Sequence, residues 1–122
     1  MKALALRHLA DRVGPLEYEI DTGYPGAPAS RSAPGGGTVR RLLQAYDRDP
    51  LFREWAVSNV LGNRLRQLLG PAVMLSRAHH NCVLTKDPAF SSLTGWHQDI
   101  RYWSFERPEL VSAWLALGPE RE

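Results

Sequence analysis

A histidine and an aspartate one residue apart are the feature of this sequence that most directly suggests chemistry. They are His97 and Asp99, within the run Trp-His-Gln-Asp at residues 96–99. In an extended strand, residues i and i+2 project from the same face, so this imidazole and carboxylate would lie side by side while Gln98 points away. Two imidazoles and one carboxylate hold non-haem Fe(II) on one octahedral face and leave the other face open. The motif therefore supplies two of three such ligands, although a surface ion pair on a strand would have the same spacing.

A second cluster with possible metal ligands precedes this motif and consists of His79, His80 and Cys82. Adjacent residues of a strand face opposite sides, so only His80 and Cys82 would share a face. A closed zinc site needs two more ligands, and the sequence has no second cysteine. We interpret these residues as polar strand positions beside a buried thiol, with zinc binding as the alternative. The sequence contains no Gly-x-Ser-x-Gly elbow, so nothing supports Ser-His-Asp catalysis.

The composition excludes several other classes of protein. The 122 residues carry 15 Lys and Arg against 13 Asp and Glu, and this formal charge of +2 predicts neither a nucleic-acid nor a membrane partner. No apolar run approaches the roughly 18 residues that span a bilayer. The apolar stretch at the start of the chain is also too short for a secretory signal. The single Cys82 excludes an internal disulfide framework and is typical of a reducing compartment. We therefore expect a cytoplasmic, globular chain whose residues 1–122 form one domain.

The elements that must position these side chains begin with a helix and a long loop. Apolar residues near helical spacing predict a short helix over residues 2–12 that ends at Gly14. Ten of the nineteen Gly and Pro residues fall in residues 14–37, which predicts a loop with a strand-like patch at residues 16–20. A loop of this length is usually either a functional lid or a disordered linker.

Three helices are predicted over residues 38–70. The first covers residues 39–46, with Thr38 as its cap. The second begins at the pair Asp49-Pro50, a combination typical of a helix start, and continues to residue 56. The third carries an apolar stripe up to residue 69, where a Gly-Pro pair ends it.

From residue 71 onward, the hydrophobic period changes from helical to alternating. The alternation predicts strands at residues 72–78, 82–85, 96–100 and 110–117. Helices followed by antiparallel-type strands indicate the α+β class, with the helices covering one face of a sheet or barrel.

The second half of the chain resembles the phytanoyl-CoA dioxygenase family of Fe(II)- and 2-oxoglutarate-dependent oxygenases. The matching features are Trp-His-Gln-Asp at residues 96–99, Tyr102 three residues later, Ala-Trp-Leu-Ala-Leu at residues 113–117, and the helix, Leu-Gly-Pro and strand around residue 70. The resemblance implies helices packed on part of a double-stranded β-helix (jelly-roll) barrel, with Fe(II) held by His97 and Asp99 at its mouth. It also implies 2-oxoglutarate as cosubstrate, and hydroxylation of a C–H bond of a small organic or acyl substrate by dioxygen.

The resemblance suggests roles for five further residues. Lys86 could neutralise a carboxylate of 2-oxoglutarate, or it could be a solvated charge at a strand end. Trp114 lies where the family often places an aromatic residue near the cosubstrate, although a tryptophan in a strand is usually a core residue. Trp96, Tyr102 and Trp103 could shape the substrate pocket, or they could form a hydrophobic cap beside a turn.

The sequence departs from the family pattern after Asp99. In the family, the third iron ligand is a histidine on a later strand, and an arginine beyond it pairs with 2-oxoglutarate, whereas residues 100–122 contain no histidine. About three barrel strands are predicted where a closed jelly roll has eight. We therefore expect the apparently truncated N-terminal portion of such a domain, without oxoglutarate turnover of its own. Two alternatives remain: a non-catalytic jelly-roll fragment that binds a metal or a partner, and a chain that completes its barrel by association through its open sheet edge.

Overall fold

The structure, a computed structural model, describes residues 1–78 and 80–119. In chain order, its elements are helix α1 (Lys2–Ala10), strands β1 (Leu16–Tyr18) and β2 (Val39–Leu43), helices α2 (Ala45–Arg48), α3 (Pro50–Ala56) and α4 (Asn59–Leu69), and strand β3 (Cys82–Leu84). Two short 3₁₀ helices, Glu19–Thr22 and Asp99–Tyr102, follow β1 and β3 respectively. This mixture of helices with a small antiparallel sheet is α+β, which confirms the predicted class.

The three strands form one open antiparallel sheet in the order β1-β2-β3. Leu42 in the central strand lies opposite Leu16 on one side and Val83 on the other, and it is completely buried. Helices α1 and α3 contribute Leu4 and Phe52 to the same core cluster. Full burial of one such side chain stabilises a fold by about 1.5–3 kcal/mol, so the hydrophobic core is centred on β2.

Helices α3 and α4, which the sequence predicts, are delimited by residues at their ends. The side chain of Asp49 accepts a hydrogen bond from the backbone N–H of Leu51 at 2.9 Å, and Pro50 is the first helical residue of α3. Helix α4 is capped by Ser58 and ends at Gly70, whose φ of +90° is a conformation that favours glycine. The prediction of a helix start at Asp49-Pro50 and of a helix end at Gly70 is confirmed.

The helix predicted over residues 39–46 is wrong, because Val39–Leu43 forms the central strand β2. Strand β2 is buried at Val39 on one face and at Leu42 on the other, so it lacks the alternation of apolar and polar residues that identifies a half-buried strand. Here Arg40 is buried as well as Leu42, because it pairs with a carboxylate from another part of the chain. Gln44 then adopts a left-handed conformation with φ +56° and separates β2 from the short helix α2.

Three of the four predicted strands are also absent from their predicted positions. Only Cys82–Leu84 pairs, with β2, whereas residues 72–78 and 110–117 are irregular and residues 96–100 lead into a 3₁₀ helix. Alternation of apolar residues shows which face of a strand would be buried, but a strand forms only where another strand accepts its hydrogen bonds. Among the described residues, no strand pairs with these segments.

The glycine- and proline-rich residues 14–37 pack against the rest of the chain. The guanidinium of Arg12 donates to the carbonyl of Gly37 at 2.7 Å. Leu93 donates its backbone N–H to the carbonyl of Pro25, and a Cβ added at Gly35 would lie 2.3 Å from the Phe90 ring. These contacts join the loop to the segment that leads to the Trp-His-Gln-Asp motif, so the loop is neither a free linker nor a detached lid.

Helix α4 lies at the surface. Its apolar side chains are not buried, and Val60 and Leu68 are largely exposed. The helix has 11 residues, against the roughly 20 that cross a bilayer. In the described part of the chain, no helix is long and apolar enough to cross a membrane.

Candidate metal centre

His97 and Asp99 face each other, although their segment is not a strand. Gln98 between them is extended, with φ −119° and ψ 118°, so its two neighbours project from the same side of the backbone. A 3₁₀ helix begins at Asp99 and turns the chain away. The distance from His97 Nε2 to Asp99 Oδ1 is 3.2 Å. The single extended residue Gln98 thus brings His97 and Asp99 side by side, as the sequence predicted for a strand.

A backbone hydrogen bond fixes which nitrogen of His97 faces the carboxylate. Nδ1 lies 2.8 Å from the carbonyl oxygen of Gly95, and because a carbonyl only accepts, Nδ1 carries the hydrogen and donates it. In the neutral ring, the lone pair is then on Nε2 and faces Asp99 Oδ1. Two acceptors this close repel each other unless a cation, either a proton or a metal ion, lies between them. A metal-ligating histidine would have this arrangement, with its other nitrogen held by a backbone carbonyl, and so would a histidine in an ion pair with the carboxylate.

The separation of these donor atoms fits two adjacent ligands of one metal ion. Donors about 2.1 Å from a metal ion and at right angles to each other are about 3.0 Å apart, close to the 3.2 Å between His97 and Asp99. His80 Nδ1 is 3.9 Å from the same Asp99 oxygen, which is too far for a third ligand at right angles. Among the described residues, no group of three or more His, Cys, Asp or Glu is arranged to hold a metal ion. The described residues therefore bring together one pair of candidate ligands, His97 and Asp99.

A serine from a distant segment holds the other oxygen of Asp99. The hydroxyl of Ser112 donates to Asp99 Oδ2 at 3.0 Å, which leaves Oδ1 directed at His97. This residue was not among the predicted site residues. Its position in the alternating segment at residues 110–117 was the only available signal, since it shares a predicted strand face with Trp114.

His80 and Cys82 do not form the alternative zinc site with other described residues. The ring of His80 packs on Trp103 at 4.8 Å between ring centroids. Burial raises the pKa of the Cys82 thiol, which favours the protonated form over the thiolate that binds zinc. His79, the remaining member of that cluster, lies outside the described residues.

A comparison with known protein families identifies the family of this chain. A sequence model described as phytanoyl-CoA dioxygenase matches residues 11–122. The chain belongs to the phytanoyl-CoA dioxygenase family. Enzymes of this family are oxygenases and generally depend on Fe(II) and 2-oxoglutarate. No curated protein and no solved structure matches the chain.

Within this phytanoyl-CoA dioxygenase family member, Lys86 is engaged with its own loop. Its Nζ donates to the carbonyl of Ser92 at 2.9 Å and lies 3.3 Å from the hydroxyl of Thr94. This exposed lysine, just after β3, thus ties together residues that lead to Gly95 and His97. Trp114 is mostly exposed and is not a core residue in this structure.

The three aromatic residues near the motif separate into two groups. Trp96 and Tyr102 line an open depression of about 450 Å³ together with His97, Gln98 and Arg101. The ring of Tyr102 meets His97 edge-on at 6.3 Å. Trp103 instead contacts His80 and Phe105. The depression beside His97 therefore has an aromatic wall, and Trp103 is not part of it.

A buried ionic cluster anchors the loop that precedes the candidate metal ligands His97 and Asp99. Glu19 is completely buried, and its Oε2 accepts hydrogen bonds from the backbone N–H of Ser92 at 3.1 Å, its hydroxyl at 2.6 Å and Arg40 at 3.2 Å. Burial alone would raise the pKa of Glu19, but the hydrogen bonds from Ser92, Ser91 and Arg40 together lower it. Sequence reasoning missed this cluster, because nothing local to Glu19 indicates a partner 73 positions away.

Proposed function

We propose that this chain is part of an Fe(II)- and 2-oxoglutarate-dependent dioxygenase that hydroxylates a C–H bond of a small organic or acyl substrate. In this proposal, His97 and Asp99 are two of the protein ligands of Fe(II), and 2-oxoglutarate and dioxygen are the co-reactants. The single observation that supports it best is the 3.2 Å separation of His97 Nε2 and Asp99 Oδ1, in a family whose enzymes use this metal.

The surroundings of the two ligands support the proposal. Gly95 holds the ring of His97 through Nδ1, and Ser112 holds the carboxylate of Asp99 through Oδ2. Hydrogen bonds of this kind fix the orientation of ligating side chains and raise metal affinity. Each ligand thus keeps one atom for the metal while another part of the chain constrains its second polar atom.

The metal and cosubstrate, when bound, supply the oxidising power for C–H hydroxylation, and the protein supplies position and enclosure. The depression lined by Trp96, Arg101 and Tyr102 has room for a small organic ligand beside His97. Its aromatic side chains would contact an apolar part of such a ligand, and Arg101 would favour an anionic one. We also propose that residues 11–122 belong to a jelly-roll domain, in which β3 is a barrel strand and the helices cover the sheet.

A second candidate function follows from the ligand count. Within the described residues, no three potential metal ligands meet. A non-catalytic metal-binding module would need no third protein ligand and no oxoglutarate turnover. The two functions differ in whether the metal-loaded chain binds 2-oxoglutarate, which a portion of an oxygenase should do and a metal-binding module should not.

The test is an anaerobic titration of the 122-residue chain with Fe(II), or with Co(II) as a spectroscopic substitute. We expect His97→Ala and Asp99→Ala each to weaken binding by at least about tenfold, since each removes a direct ligand. His8→Ala is the matched control, because His8 lies in α1 beside Phe52 and should leave the affinity unchanged. Loss of metal in Cys82→Ser, with full binding in His97→Ala, would place the metal in the alternative cluster and contradict the proposal.

A further inference from the structure

The segment just before the candidate metal ligands is fixed to the glycine- and proline-rich loop. Ser92 is 2% exposed, and Glu19 accepts hydrogen bonds from its backbone N–H at 3.1 Å and from its hydroxyl at 2.6 Å. The next residue, Leu93, donates its backbone N–H to the carbonyl of Pro25 at 3.1 Å. The backbone is therefore held at two successive residues by a part of the chain that lies far away in the sequence.

Thr94, which follows, is held by Lys86. The ammonium of Lys86 donates to the carbonyl of Ser92 at 2.9 Å, and it lies 3.3 Å from the hydroxyl of Thr94. Among the described residues, Thr94 makes no other hydrogen bond. The lysine thus connects the fixed Ser92 with a residue that the rest of the described chain leaves unheld.

Gly95 comes next, and its carbonyl orients the ring of His97. The carbonyl oxygen lies 2.8 Å from Nδ1 of His97 and accepts its hydrogen. A Cβ added at Gly95 would meet no atom of the described chain within 4 Å, so no packing confines this residue. Glycine also has more backbone freedom than any other residue. The direction of this carbonyl therefore depends on how Thr94 is held.

We propose that Lys86 is a positioning residue for His97. Through Thr94 it holds the carbonyl of Gly95, which keeps the hydrogen of the ring on Nδ1 and leaves the lone pair of Nε2 directed at Asp99. The hydrogen bond of one imidazole nitrogen determines which nitrogen is available to a metal ion. The consequence for metal binding rests on the proposed function, whereas the effect on the imidazole does not.

A positioning role and a purely electrostatic role of Lys86 predict opposite effects on metal affinity. An ammonium group repels a metal cation, so if its charge alone mattered, its removal would strengthen metal binding. Loss of a positioning contact weakens binding instead, and residues that orient metal ligands contribute about 10–100-fold to affinity. Lys86 acts one step farther from the ligand than Gly95 does, so we expect a smaller effect. A lysine that served only as a counter-charge for 2-oxoglutarate would not strengthen metal binding without that acid.

The first measurement is ¹⁵N NMR of the histidine rings in the 122-residue chain without metal, at about pH 9, where imidazoles are neutral. The signals of His97 are those that disappear in His97→Ala. The parent chain should hold this ring in the Nδ1–H form, and Lys86→Met should shift it toward the Nε2–H form. Lys86→Arg, which retains a charged donor, should restore the parent form. Equal tautomer populations in the parent chain and Lys86→Met would overturn the proposal. Since Lys86 is exposed, its removal leaves the core intact.

The second measurement is a Co(II) titration without 2-oxoglutarate. Lys86→Met should bind at least about threefold more weakly than the parent chain. Lys2→Met is the matched control, because it removes the same charge from an exposed position of α1, and it should bind within about twofold of the parent. Gly95 lacks positive φ, so adding Gly95→Ala to Lys86→Met should restrict its backbone and recover part of the affinity.

The two measurements separate this inference from the metal proposal. In a chain that binds Co(II) through His97, unchanged or tighter binding in Lys86→Met would contradict the positioning role, and so would an equal loss in Lys2→Met. If His97→Ala leaves Co(II) binding unchanged, the proposed function fails. The tautomer of His97 in the metal-free chain would still decide the role of Lys86.

Discussion

Replacing Arg40 with methionine should leave the negative charge of Glu19 in the core without a positively charged partner. Glu19 is completely buried and Arg40 is 6% exposed, and Nη1 of Arg40 lies 3.2 Å from Oε2 of Glu19. Methionine preserves much of the apolar stem but removes the only positive charge within hydrogen-bonding distance of this carboxylate among the described residues. A buried charge that loses its partner must either remain uncompensated or take up a proton, and both destabilise the folded state.

The contacts set the size of the effect. Removing one partner of a buried ion pair costs about 3–5 kcal/mol. Ser92 still donates two hydrogen bonds to Glu19, at 3.1 and 2.6 Å, which moves the expected loss toward the lower value. The guanidinium also lies 4.9 Å from the ring centroid of Tyr24, a contact worth about 0.5–1 kcal/mol that methionine replaces only in part. We expect a loss of about 3–4 kcal/mol.

Urea unfolding followed by tryptophan fluorescence measures this loss, provided that the slope of the free energy of unfolding against urea concentration is the same in the variant and the parent chain. The double variant Glu19→Gln, Arg40→Met buries no charge and keeps an acceptor for Ser92, so it should recover at least half of the loss. Arg31→Met is the control, because its ion pair with Asp21 is about half exposed and should contribute less than about 1 kcal/mol. A loss below about 1 kcal/mol in Arg40→Met, or strictly additive losses in the double variant, would refute the reasoning.

Three further predictions concern the helix cap, the acid stability and the cysteine. Asp49→Ala should lower the free energy of unfolding by about 1 kcal/mol, because the N–H of Leu51 loses its acceptor. Urea unfolding measures this loss, with the exposed Asp11→Ala as the control. Equal losses in the two variants would contradict the capping role of Asp49. Because hydrogen bonds lower the pKa of Glu19 in the folded chain, the stability it contributes is present above its ordinary value of 4.5 and is lost as the pH falls through the lower folded value. Unfolding in urea between about pH 5 and 2 should therefore depend less on pH in Glu19→Gln, and an unchanged slope would show that Glu19 is not the responsible group. Since burial raises the pKa of Cys82, iodoacetamide at pH 7 should alkylate it at least about tenfold more slowly in the folded chain than in urea, whereas equal rates would contradict its burial.

The parts of the fold that could be predicted are those determined by neighbouring residues. Asp49 and Pro50 mark a helix start wherever they occur together before an apolar stripe, because the cap contacts only the next few residues. Gly70 ends α4 for an equally local reason. The strand β2 was mistaken for a helix because the burial of Arg40 depends on Glu19 and Ser92, which lie 21 and 52 positions away in the sequence. No window around Arg40 contains that information.

The candidate site likewise has a part that neighbouring residues determine and a part that depends on distant residues. The proximity of His97 and Asp99 needs only one extended residue between them, so their spacing was sufficient to predict it even though the predicted strand is absent. Ser112, in contrast, reaches Asp99 across 13 positions, and Nδ1 of His80, in a different segment, lies 3.9 Å from Asp99 Oδ1. Such residues contact the candidate ligands without carrying a motif of their own. Sequence patterns therefore identify ligands that lie close together in the chain, whereas the residues that orient those ligands become visible only when the chain is folded.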